Sequence, residues 1–522
     1  MKKTLKRLIS FAALISLLST AGCGGGKPSD PTAGSTRESV VADLGEPLEG
    51  GEVIVAVTQE PDSLDPYLAE AAGTKEIIYN LFEGLVRLEP DGTFSPSLAE
   101  SFEIAADGRS YEFKLRKGVL FHNGEEMTAQ DVIYSLERGA GLLADEPTAL
   151  IPEFKVIEEI VSDDAGETVT LKLKQPDLDL LGFLTQAIIP AGYTEQNSAP
   201  IGTGPFKFVE YKTQRHIVME KFDDYSGAHP SHLDQVTFKI VPSTDAAMVD
   251  LQAGNIDLFP YLTMDKASLV EADYDLIETQ SNMVQLWALN NEVAPFDDPN
   301  VRKALNLAID KQLVIDTVTY GYGTLLESGM SPAMGDYYND TLNPEHEFDR
   351  EEAKRLLSAA GYENGLTLDV TVPVNYMIHV QTAEALAAQL AEVGVVLNVK
   401  PVDWGTWLNN VYMNREYQST VIALTFQYSP SSVLGRYESA APDNFINFAN
   451  ERYDEIWSKT VTGIDQQERV EGYRDLQQIL YDDSASVFLQ DPALLTAVKK
   501  ELGGYTTYPL YVQDMSAVYY KK

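Results

Sequence analysis

The chain has 522 residues, 39 Lys and Arg against 79 Asp and Glu for a formal net charge of −40, 44% hydrophobic residues and one cysteine. That is apolar enough to fold and long enough for two or three domains at about 150 residues each. The charge argues against a nucleic-acid partner, because binding a polyphosphate needs a basic footprint, and a lone cysteine excludes internal disulfides and a cysteine metal site. The excess acid reads as a solubility device outside the cell.

Lys2, Lys3, Lys6 and Arg7 precede an apolar run from Leu8 to Leu18 that is too short to span a bilayer as a mature helix, and Ser19-Thr20-Ala21-Gly22-Cys23 follows. This is the layout of an export signal. Small residues before Cys23 resemble the lipobox of bacterial lipoproteins, with Thr20 where Leu is usual. The resemblance implies that residues 1–22 are a signal peptide and that Cys23 carries a lipid anchor on the outer face of the cell membrane, or in the periplasm of a two-membrane host. Residues 23–50 continue as Gly24-Gly25-Gly26-Lys27-Pro28-Ser29, the composition of a flexible tether.

Glu52-Val53-Ile54-Val55-Ala56-Val57 is a continuous apolar run expected of a strand buried on both faces, with the folded part starting near Gly51. Alternation predicts strands at Tyr111, Phe113 and Leu115, at Val169, Leu171 and Leu173, at Val236, Phe238 and Ile240, and at Val395, Leu397 and Val399. Thr128 with Asp131 approximates a capping box ahead of a helix through Arg138, and Asp298-Pro299 supplies an N-cap and an N1 proline for Val301 to Ile309. Asp349 with Glu352 opens a further helix that stops at Gly361, and Ala383, Leu386, Ala387, Leu390 and Val393 space another before Gly394. The class is α/β.

Motifs of catalysis are missing. Gly202-Thr203-Gly204-Pro205-Phe206 has the glycines of a phosphate loop without its lysine, and its proline forbids the helix start. His229 and His232 flank Pro230 and are expected on a loop surface, not on a metal. Neither a Gly-x-Ser-x-Gly elbow nor a Ser-x-x-Lys motif occurs, and among 79 acids carboxylate pairs read as solvated surface. The expectation is a binding protein without catalytic residues, metal or cofactor.

Several segments, in order, resemble the family 5 extracellular solute-binding proteins, the oligopeptide-, dipeptide- and nickel-binding components of ABC importers. They are Ser63-Leu64-Asp65-Pro66, Tyr79-Asn80-Leu81-Phe82-Glu83-Gly84-Leu85, Ser97-Leu98-Ala99-Glu100-Ser101 and the run from Asp107-Gly108 to Asp131-Val132. Gly202 to Phe206, Gly254-Asn255-Ile256-Asp257-Leu258, Val301-Arg302-Lys303-Ala304-Leu305 and Asp403-Trp404 follow. The resemblance implies a two-lobed, periplasmic-binding-protein-like fold of the class II type, pear-shaped, with three domains and a hinge. Mapped here, a discontinuous domain I takes 51–85, 200–290 and 490–522, domain II takes 86–199, and domain III takes 291–489. The quoted motif residues read as turn and strand framework, His122 included.

In peptide-binding members of that family a cleft loop carries an Asp four residues before a Pro, which pairs with the peptide ammonium. The matching stretch here is Val421 to Pro430, in which Phe426 stands at the Asp position and Ala423 where a Trp is often found. An apolar ring cannot neutralise an ammonium, which argues against a free peptide N-terminus in that register. Candidate ligand contacts are Phe426, Gln427 and Tyr428, then Trp404, Trp407, Trp287 and Asn290, whose rings and amides suit an extended oligomer. Gly73 and Thr74, read as a loop after the first strand, and Arg436, as a partner for a ligand carboxylate, complete the set. The expected role is that of a monomeric lipoprotein delivering an oligopeptide or similar solute to ABC permease subunits. Sugar oligomers or a metal chelate, reception of a peptide signal, and an extracellular hydrolase are the rival readings.

Overall fold

The computed structural model describes residues 45–143, 148–342, 348–425, 428–508, 510 and 512–522, all within one compact unit. Cys23, most of the expected tether, Phe426 and Gln427 lie outside the described residues.

Glu52–Val57 is the middle strand of a seven-stranded sheet ordered Tyr274–Thr279, Leu494–Lys499, Leu258–Leu262, Glu52–Val57, Gln235–Ile240, His216–Lys221, Phe206–Lys212. It runs parallel to both of its neighbours, and Val53, Val55 and Ala56 are fully buried between cores on the two faces. That is why its sequence is apolar throughout instead of alternating. Strand pairing is already present before Gly51, since Pro47–Leu48 pairs antiparallel with Lys521 and Tyr520 near the C-terminus.

A six-stranded sheet is ordered Gly323–Leu325, Val487–Pro492, Met283–Leu289, Ser419–Thr425, Leu366–Pro373, Val395–Val402. One face carries the helices opened by Asp298 and Asp349 and the helix Met377–Ala391, and the other carries Gln466–Asp482 and the π-helix Trp407–Met413. Asp298 accepts from the Asn300 N–H (2.8 Å), and Asp349 from those of Glu351 (3.0 Å) and Glu352 (2.9 Å), so both sequence-predicted caps form. The chain passes between the two large sheets twice, through residues 280–282 and again through Ala493 alone. The Asp491 carboxylate joins these crossings, accepting from Ser281 N (3.2 Å), Ser281 Oγ (2.6 Å), Met283 N (3.3 Å) and the Ser331 hydroxyl.

The remaining strands form an antiparallel four-stranded sheet, Ala99–Ile104, Ser110–Leu115, Thr168–Leu173 and Ile157–Ser162, with the hairpin Val86–Leu88 and Phe94–Pro96 beside it. Alternation is legible here because one face packs on a core under helix Ala129–Ala140 while the other meets water. The Asp131 carboxylate accepts from the Thr128 N–H (2.8 Å) and hydroxyl (2.7 Å) at the start of that helix. Gly202 and Gly204 serve close packing: a Cβ there would stand 2.0 Å from the Leu81 carbonyl oxygen and 2.6 Å from that of Asn80. His122 hydrogen-bonds the Gly204 carbonyl (3.0 Å) and accepts from the Gly202 N–H (3.3 Å), and burial pushes it down to about 4, as a framework histidine requires.

Candidate functional site

A cavity of about 730 Å³ opens where the three groups of strands meet. Its walls come from the segment after the first strand, Pro66 to Lys75, from Ile78 to Leu88, and from 150–153 and 182–187. Thr425 and Tyr428 enter from the end of a six-stranded-sheet strand, and Leu510, Val512 and Asp514 from the C-terminal segment. Most of this wall is apolar, with ionisable groups at a few points, the ordinary make-up of a ligand pocket.

Arg87 and Asp514 form a buried ion pair on the wall, shared with the Tyr508 hydroxyl, which donates to Asp514 Oδ2 (3.0 Å). Burial works against the Asp514 charge, but Arg87 and Ser516 outweigh it and hold the carboxyl below its ordinary range. Glu83 accepts from the Tyr225 hydroxyl (2.8 Å), and burial still pushes its carboxyl up. Glu70, Glu153 and Lys75 supply the other charges of the lining.

Tyr428 stands at the edge of the cavity, its ring edge-on to Phe94 at 6.1 Å and its hydroxyl against Gly92 in the hairpin turn. Burial pushes that hydroxyl up to about 12. Gly92 has φ +85° and a Cβ there would fall 1.8 Å from the Tyr428 oxygen, so both turn geometry and contact demand glycine. Beside this contact Asp179, which precedes the short helix Leu180–Phe183, is ion-paired to Arg469 on helix Gln466–Asp482. The side chains are 10% and 2% exposed, and Ser429 Oγ (3.2 Å) and the Tyr473 hydroxyl (3.5 Å) donate to the same carboxylate. The four-stranded and six-stranded portions therefore meet through a buried charge pair at the rim of the cavity.

Other sequence candidates lie elsewhere. Trp287 is fully buried, edge-on to Phe296 at 6.4 Å in a core of the six-stranded sheet, because its strand is covered on both faces. Asn290 is also fully buried and donates to the carbonyls of Tyr417 (3.0 Å) and Arg415 (3.3 Å), fixing a loop. Trp407 is core, its indole N–H donating to Thr420 Oγ1 (2.9 Å). Trp404 stacks on it at 5.0 Å and is 38% exposed, away from the cavity lining. Gly73 and Thr74 belong to helix Ala72–Ile78, not to a loop, and Thr74 Oγ1 is turned inward to accept from the Asp62 N–H (3.1 Å); the neighbours Ala72 and Lys75 face the cavity instead. Arg436 turns to Asp443 (3.5 Å) and is not part of the lining. Sequence reasoning missed Arg87, Asp514 and the Asp179–Arg469 pair, whose partners lie 427 and 290 positions apart, where no local spacing signals them.

The family model described as bacterial extracellular solute-binding proteins, family 5, middle, matches residues 93–444. The oligopeptide-binding protein AppA of Bacillus subtilis (strain 168) is 26% identical over 97% of each chain. Heme-binding protein A of Haemophilus influenzae is 29% identical over 82% of this chain and 85% of its own. The crystal structure of the ABC transporter substrate binding protein CtaP from Listeria monocytogenes matches with TM-score 0.81 at 27% identity, covering 91% of this chain and 100% of that one.

Proposed function

Because the chain belongs to the bacterial extracellular solute-binding proteins of family 5, two-lobed binding proteins of transport and not enzymes, we propose that it captures an oligopeptide or similar extended solute between its lobes and delivers it to an ABC permease. The cavity carries this reading: about 730 Å³, within the range of small-molecule sites, bounded by residues from three groups of strands that hinge motion would separate. The relative named for oligopeptides aligns over nearly its whole length, which supports the peptide reading. In this reading the first domain takes 51–85, 200–290 and 490–522, the second 86–199 and the third 291–489. The seven-stranded sheet supports a discontinuous first domain, drawing its strands from residues 52–57, 206–279 and 494–499, while Met283–Leu289 and Val487–Pro492 pair in the six-stranded sheet and so move the expected boundaries at 290 and 490 to residues 280–282 and Ala493.

Cys23 is the proposed lipid anchor, with the protein a monomer on the outer face of the membrane. Phe426, Gln427 and Tyr428, which follow strand Ser419–Thr425 in the sequence, remain the proposed contacts, and Tyr428 is supported by its position on the cavity wall. Among the described residues no helix is long and apolar enough to cross a membrane, and no cluster of His, Cys, Asp and Glu could hold a metal ion. The test is native mass spectrometry of the purified chain, with identification of whatever leaves on denaturation. A ladder of peptide masses is the expected result; a hexose ladder or a single chelate mass would replace the peptide reading within the same fold.

A further inference from the structure

Arg87 lies at the middle of strand Val86–Leu88, on the cavity wall. Its Nη2 donates to Asp514 and to the Tyr508 hydroxyl (2.9 Å), and its guanidinium carbon sits 5.5 Å from the centre of the Tyr79 ring. These three contacts fix the plane of a side chain that is only 11% exposed. A guanidinium has five N–H donors. Among the described residues, Nε is buried without a hydrogen-bond partner, and the two side-chain hydrogen bonds that Arg87 makes both come from Nη2, leaving Nη1 without one.

Asp514 cannot fill the gap. Its Oδ1 already accepts from the Ser516 N–H (3.0 Å) and hydroxyl (2.6 Å), and its Oδ2 from Arg87 and Tyr508. A buried cation with unspent donors is costly unless an acceptor arrives, and an anionic acceptor offsets that cost best. The other acidic and basic side chains on the wall, tyrosines aside, are Glu70, Glu83 and Glu153 and the exposed ammonium of Lys75, a balance that disfavours a purely anionic solute. A ligand with an anionic group at Arg87 and an amine elsewhere meets both conditions.

Resting on the peptide reading of this cavity, we propose that Arg87 is its carboxylate receptor, held by Asp514, Tyr508 and Tyr79 so that its unspent N–H groups meet a carboxylate of a zwitterionic peptide. That carboxylate comes from the C-terminus or from an acidic side chain. The guanidinium fork suits either, and a lysine ammonium cannot keep Asp514 paired and present the same planar edge.

The experiment is competition measured by native mass spectrometry on the full chain, freed of endogenous ligand. Three synthetic tetrapeptide pools are used: one without acidic side chains and with free C-termini, the same pool C-amidated, and an amidated pool containing Glu. The wild type is expected to prefer the free-acid pool over the first amidated pool by about tenfold or more, the scale of one charge-assisted hydrogen bond. The double variant Arg87→Met/Asp514→Asn, which leaves no buried unpaired charge, is expected to bind both equally. Arg87→Lys is expected to lose most of the preference while keeping its charge. If the Glu-containing amidated pool binds the wild type as well as the free acids do and loses that in the double variant, the carboxylate role stands with the side chain as its source. Equal binding of all three pools by the wild type, or a preference untouched in the double variant, overturns the role of Arg87 and leaves the peptide reading intact. Failure of the wild type to bind any pool overturns the peptide reading and this proposal together.

Discussion

Replacing Arg469 by Met tests whether the charge pair at the cavity rim acts on lobe closure or on folding. Arg469 and Asp179 are nearly fully buried and come from portions of the chain built on different sheets. Removing one partner from such a pair costs about 3–5 kcal/mol while the other charge stays buried. Asp179 sits at the start of the short helix Leu180–Phe183, at the rim, and a hinge swing that parts the two portions would return it to water without unfolding either. The penalty therefore falls on the closed arrangement. Three kcal/mol corresponds to a shift of about 150-fold toward the open form, and ligand affinity falls by up to that factor if only the closed form holds the ligand. Titration calorimetry with a bound peptide and small-angle scattering with and without it would measure the effect. The expected result is weaker binding and a larger radius of gyration in the ligand-bound sample, with little change in the denaturant midpoint. Unchanged affinity together with a large loss of global stability would refute the argument, because the pair would then be holding the fold and not the closure. Asp179→Asn combined with Arg469→Met is expected to recover part of the loss, since no isolated charge remains.

Gly92→Ala drives a methyl onto the Tyr428 hydroxyl and strains a residue at φ +85°, so peptide affinity should fall at least about tenfold for a stability loss of only about 1 kcal/mol; equal affinity would separate this contact from binding. Trp287→Ala should cost about 3–5 kcal/mol in urea unfolding, and Trp404→Ala, at a 38% exposed side chain, far less, as their positions in and on the core require. Glu76 is buried on helix Ala72–Ile78, hydrogen-bonded by Tyr261, and burial pushes its carboxyl up to about 7. The native state therefore binds more protons there than the unfolded chain does. The contribution is fully present below about pH 4.5 and is lost as pH rises to about 7, so Glu76→Gln should flatten that part of the stability profile measured by chemical denaturation.

The framework was legible wherever local chemistry decides it. Thr128–Asp131, Asp298-Pro299 and Asp349 announce helix starts because a cap is satisfied within three residues, and Glu52–Val57 announces a central strand because both of its faces are covered. Gly73 and Thr74 misled because glycine suggests a loop, while the Asp62 carboxylate, accepting from the Glu70 (2.8 Å) and Ala71 (2.9 Å) N–H groups, sets up the turn that leads into a helix. Aromatic residues misled for a related reason. A tryptophan signals a large buried area without saying whether the area is core or pocket, and Trp287 and Trp407 fill core. The cavity wall was hidden because its charged groups are joined across hundreds of residues: Arg87 acquires meaning only when Asp514 folds back onto it.

The two crossings between the large sheets constrain how this molecule can move. One link is three residues long and the other a single alanine, and the Asp491 carboxylate ties both to Ser331. Neither link has slack, so separation and sliding of the sheets are blocked, and the mobility that remains is a swing about the line joining residues 280–282 to Ala493. A single swing means that every point on the far rim travels along a fixed arc. Widening the mouth at one end then widens it at the other, so an extended solute of the proposed kind would enter and leave broadside instead of threading through.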